Sequence, residues 1–172
     1  KLLDDFDDDP QLTAPHTYDI KLTKGDETLH YTGSIEDNAS SWILEGIDEE
    51  LGKEVKVISL LIQDGSLRID GVFSFDEKGS VVPFDELYED NGDNDGLNSA
   101  IVISDFDMDS FFASVSGNPI ISNLKSQNIT TTIEGAKVNP ISYTLKFNGV
   151  FGRDSADDIY SATGTIVMSP YK

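Results

Sequence analysis

The chain has no cysteine. That excludes disulfides, thiolate zinc sites and cysteine nucleophiles, and it leaves the fold dependent on its core. It does not fix a compartment. Histidine occurs only as His16 and His30, so no His-x-x-x-His metal pair exists. There is no run of about 18 apolar residues, so no helix of this chain is long and apolar enough to cross a bilayer. Lysine and arginine are missing from the whole stretch between Lys78 and Lys125. Nine carboxylates occupy that stretch: Asp85, Glu86, Glu89, Asp90, Asp93, Asp95, Asp105, Asp107 and Asp109.

The formal net charge is -20 and the sequence pI is about 4.1. A charge of this size repels itself and other anions, so it excludes a nucleic-acid partner and favours cations or basic surfaces. Aspartate outnumbers glutamate by 22 to 10. Aspartate favours turns and caps, whereas a charged helical protein would favour glutamate. The excess therefore points to loops between strands. Aspartate is also a common calcium ligand.

The length of 172 residues suits one domain. Residues 1–10 hold five aspartates and end in Pro10, which suits neither strand nor helix. Residues 1–14 read as an acidic flexible leader and 15–172 as a single β domain. An opening at Lys1 reads as a processed product whose signal peptide has been removed.

Apolar residues alternate along most of the domain, the signature of half-buried strands. Tyr18, Ile20 and Leu22 share a face, and Lys24-Gly25-Asp26-Glu27 turns the chain toward Leu29, Tyr31, Gly33 and Ile35. Val55 to Ile62 is apolar and β-branched, and Asp64-Gly65 turns it into Leu67, Ile69, Gly71, Phe73 and Phe75. Ala100 to Ser104 and Asn128 to Ile133 read as strands. Ile141 to Phe151 and Tyr160 to Met168 form the clearest pair. Ser41 to Leu44 predicts a short strand and Ile47 to Leu51 a turn of helix. Residues 76–98 read as loop, with a short strand near Val81. Asp107 to Ser116 predicts a short helix capped by Asp107 and ended by Gly117. The pattern apolar-x-Gly-x-apolar recurs at Gly33, Gly71, Gly149 and Gly164. Glycine on the inward face of a strand marks a bend or a close backbone approach, and curved sheets use it to coil. The predicted fold is all-β: an antiparallel β-sandwich of eight to ten strands, or a closed and strongly curved β-barrel.

The strongest ligand motif is Asn91-Gly92-Asp93-Asn94-Asp95-Gly96. Over these six residues it resembles the first half of an EF-hand loop, with oxygen ligands at alternate positions and glycine at the sharp turn. The resemblance stops at Val102, where a bidentate glutamate would stand. The candidate calcium ligands are Asn91, Asp93 and Asp95, joined by Asp90 or Asp105. Trp42 is the sole tryptophan. In a core it is structural, and at the surface it could stack on a sugar or enter a partner. Asn38 and Asn128 begin N-glycosylation sequons.

Signals for catalysis are weak. No Gly-x-Ser-x-Gly elbow, dinucleotide loop or Walker A loop occurs, and the partner motifs that would give Ser122 to Lys125 meaning are absent. An acidic leader before a cysteine-free β domain is similar to the mature part of small bacterial surface lipoproteins. That resemblance implies an extracellular, periplasmic or cell-surface site and a lipid anchor upstream of residue 1. The expected function is non-catalytic binding of a protein or glycan, with calcium as a stabiliser. The alternative is a carboxylate-dependent hydrolase acting on glycans.

Overall fold

A computed structural model describes residues 12–50, 52–86, 98–127, 131–133 and 135–171. They contain ten strands and no helix: β1 (His16–Lys24), β2 (Glu27–Ile35), β3 (Ala39–Asp48), β4 (Lys53–Asp64), β5 (Leu67–Ser74), β6 (Ser99–Asp105), β7 (Ser110–Ser126), β8 (Thr131–Ile133), β9 (Ala136–Arg153) and β10 (Ile159–Met168). The architecture is sandwich-like. One large antiparallel sheet in the order β2-β1-β10-β9-β3-β4-β5-β6-β7 folds over so that its inner faces meet, and β7 returns to pair with β9. The meeting faces form a single core that includes Ile20 and Leu22 of β1, Ile58 of β4, Ile69 of β5, Ile103 of β6 and Leu145 of β9. Phe84, from the segment between β5 and β6, lies edge-on to Phe147 and Phe151. Two tyrosine–aspartate bonds cross between strands that are not neighbours in the sheet. Tyr18 Oη donates to Asp64 at 2.7 Å, and Tyr31 Oη to Asp105 at 2.8 Å.

Both expected helices are strand or turn. The segment from Asp107 forms a tight turn and then β7. Asp105 Oδ1 accepts the Met108 N–H, and Asp109 sits at φ 48°, in the left-handed region. Ser110, Phe112 and Ser114 then alternate into the interior. The aspartates that resemble a helix cap are used to reverse the chain instead. Ile47 belongs to β3, which runs to Asp48 and pairs Ile47 with Glu54. There the ladder with β4 overrides local propensity; Leu51 lies outside the described residues.

The recurring glycines have a steric cause. Tyr18 pairs directly with Gly33 and Phe147 with Gly164, and each ring lies across its glycine. A Cβ on Gly33 would stand 2.4 Å from Tyr18 Oη, and one on Gly164 2.3 Å from Phe147 Cζ. At Gly71 the obstacle is the Phe73 ring, 2.9 Å away. Rings over strand glycines fill the space that a missing side chain leaves. Gly149 differs because backbone meets backbone. Its Cβ would lie 2.2 Å from the Ser116 carbonyl oxygen, and its partner Gly117 holds φ at +129°.

The Tyr18 ring can shift at the expense of its bond to Asp64, but a paired backbone cannot move aside. Gly149→Ala should therefore cost about 3 kcal/mol or more, the top of the usual overpacking range, and Gly33→Ala about 1–2 kcal/mol. Urea unfolding of the two variants beside wild type checks the ranking. Equal midpoints for both variants would refute it.

Candidate functional site

In a two-layer β protein the outward face of a strand is usually polar. The outward face of β3 to β6 is not. Register aligns Trp42, Ser59, Val72 and Ala100 in one row across the four strands. The next row holds Ser40, Leu61, Asp70 and Val102. All of these except Trp42 line a groove of about 320 Å³, in which Ser40, Ser59 and Asp70 lie between Leu61, Val72, Ala100 and Val102. Trp42 is 39% exposed and Leu44 36%, so the apolar surface continues from the groove onto β3. Trp42 takes the surface position of its two expected placements, because Ser41 and Ile43 take the inward ones.

Asp70 is the charged group of the groove, and it is paired. Arg68 Nε and Nη2 donate to its two oxygens at 2.9 and 3.2 Å. Both side chains are more than one-third exposed, so this pair stabilises little. Its effect is local: it neutralises the groove on a strongly acidic molecule. Apolar side chains interspersed with small hydroxyls and one neutralised carboxylate are a composition that protein interfaces share.

Leu61, Val72, Ala100 and Val102 did not emerge as candidates from sequence. The signal was present as the near-continuous apolar runs Val55–Ile62 and Ala100–Ser104. Such runs belong to strands covered on both faces. Here the inner residues Ile58, Leu60 and Ile62 are buried, while Ser59 is exposed and Leu61 only partly covered.

Of the expected calcium ligands, Asp90, Asn91, Asp93 and Asp95 lie outside the described residues. Asp105 is buried, with one oxygen bonded by Tyr31 Oη and the other by the Met108 N–H. Among the described residues no group of three or more histidines and carboxylates could hold a metal ion. Burial, followed by the bonds to Asp64 and Asp105, pushes the Tyr18 and Tyr31 hydroxyls well above their ordinary range. Both tyrosines therefore remain proton donors to these aspartates.

The densest polar cluster surrounds Arg153 at the end of β9. Its guanidinium donates to Ser110 Oγ at 2.7 and 3.0 Å, to Tyr160 Oη at 3.1 Å and to Glu27 Oε1 at 3.4 Å. Its carbon also lies 5.5 Å from the centre of the Phe112 ring. A nucleophilic serine needs a base as neighbour. Ser110 has a cation that donates to it, and its own hydroxyl donates to the Met108 carbonyl. This cluster ties β2, β7, β9 and β10 together.

The two histidines are used differently. Exposed His30 pairs with Asp19 at 2.7 Å. His16 is buried, and its Nδ1 accepts the Ser169 N–H at 2.9 Å, which places the ring proton on Nε2. Nε2 is buried without a hydrogen-bond partner among the described residues. The ring thus pins β1 to the segment after β10, alongside the Thr13 N–H to Pro170 bond and the Leu12–Tyr171 bridge. No family model, curated protein or solved structure matches the chain.

Burial lowers the His16 pKa below 6.5, its ordinary value. The unfolded chain then binds the proton more readily than the folded one, so stability rises with pH across the interval. His16 should leave the fold fully stable above pH 6.5 and weaken it progressively as pH falls below 6.5. Urea midpoints below pH 6.5 should slope less in His16→Asn, whose amide oxygen stands where Nδ1 does and can accept from Ser169. An unchanged slope would remove His16 as the cause.

Proposed function

We propose that this chain is a non-catalytic binding domain that docks a partner protein on the outward face of β3 to β6. One observation carries the reading: an apolar groove flanked by exposed Trp42 and Leu44 crosses four strands on the outside of a two-layer protein. Contiguous apolar surface on a folded monomer marks an interaction site more often than scattered exposed residues do. A protein partner fits better than a glycan. The face is broad and mostly aliphatic, with one aromatic ring, and its single carboxylate is already paired with Arg68. The net charge of -20 favours a partner with basic surface around an apolar centre.

A photo-cross-linking residue at Val72, used in source cells, tests this directly. The expected result is a discrete protein adduct that is missing when the same residue replaces exposed Thr163 on β10. Trp42→Ser and Leu61→Ser should each reduce the adduct. Adducts identical at Val72 and Thr163, or none at either, would refute the reading.

A further inference from the structure

We propose that the bare edge of β2 accepts an extended strand from a partner protein, one with apolar residues at alternate positions and lysine or arginine at both ends. β2 is the terminal strand of the sheet path. It pairs with β1 along all nine residues, and among the described residues its other edge pairs with nothing. The turn Gly25-Asp26 makes Lys24 and Glu27 the closing pair of the hairpin. Antiparallel hydrogen bonding alternates from that pair, so the N–H groups of Thr28, His30, Thr32 and Ser34 point away from β1. An unpaired row of this kind is a template for strand addition.

Two further features separate this edge from an ordinary one. Exposed edges usually carry proline, lysine or a bulge. The bare half of β7 does: it holds Pro119 and Lys125, breaks register between Ser122 and Lys125, and places Asn123 at φ 56°. β2 has none of these. Its inner face is also unfinished. Tyr18, Ile20 and Leu22 of β1 are buried, whereas Leu29, Tyr31 and Ile35 of β2 are only half covered. An added strand with alternating apolar residues would cover them.

Charge selects the occupant. Exposed Asp26 stands in the turn before the strand and exposed Glu36 and Asp37 follow it, while Glu27 opens the strand and is bonded by Arg153 and Tyr160. Antiparallel pairing of two copies about Tyr31 would set Asp26 of one against Glu36 of the other, twice over, on chains of -20 each. A basic segment from another protein meets complementary charge at both ends instead.

The probe is a synthetic nine-residue peptide of alternating valine and threonine with a lysine at each end, titrated into the isotope-labelled full chain. The expected amide shifts fall on Thr28, His30, Thr32 and Ser34, with slower solvent exchange there. N-methylation of the peptide at alternate residues keeps charge and side chains but removes backbone pairing. It should weaken binding by about tenfold or more, as should glutamate in place of lysine. Thr32→Pro removes one donor from the free edge and should weaken binding similarly. Equal binding by the N-methylated peptide overturns the proposal even if Thr32→Pro does not fold. Shifts at Leu61, Val72 and Val102 instead would place the peptide in the groove. They would overturn the edge proposal and leave the groove reading intact. Self-association through β2 in sedimentation would overturn the choice of a basic partner.

Discussion

β9 is the constraint on which the remaining structure depends. Its eighteen residues, about 60 Å if extended, are paired along both edges by four different strands. One edge takes β3 at Lys137–Pro140 and β10 at Tyr143–Gly152. The other takes β8 and then β7. A strand of that length cannot stay straight and also wrap a core. The register shifts in β7 and the backbone contact between Gly117 and Gly149 allow the bend. Because β9 carries β10 and β1 on one stretch and β3 on another, it sets how the two inner faces meet.

The consequence for function is a division between satisfied and unsatisfied surfaces. Polar groups near the core are engaged: Asp64 and Asp105 by tyrosines, and Ser110, Tyr160 and Glu27 by Arg153. Apart from buried His16 Nε2 and Asn139 Oδ1, what remains open among the described residues is apolar surface and backbone. Among the described residues, the outward face of β3 to β6 has apolar side chains that are only partly covered, and the outer edge of β2 has donors with no strand beside them. The net charge of -20 opposes self-association through either feature. That combination of open apolar surface and open backbone is what the proposed binding role rests on.

Sequence reached the strands wherever one face was buried and the other wet. Tyr18, Ile20 and Leu22, or Ile141 to Phe151, alternate because the core lies on one side only. It failed at β7 because Asp105, Asp107 and Asp109 have the chemistry of a helix cap, and only the ladder with β6 and β9 decides against a helix. It found Trp42 but could not place it, since the phase of Ser41 to Leu44 depends on which residues β4 and β9 turn inward. The groove was hidden for a related reason. Apolar runs such as Val55 to Ile62 look the same whether the second face is covered by the protein itself or left for something else. The inward glycines were legible as a pattern, and the aromatic rings that explain them came from cross-strand register.

Native-state hydrogen exchange, resolved by residue, tests the central role of β9 most directly. If β9 holds both layers, its amides between Tyr143 and Phe151 exchange only when the whole molecule unfolds, with the free energy measured by urea. β9 amides that open at lower free energy than those of β4 and β5 would show that the layers are held elsewhere.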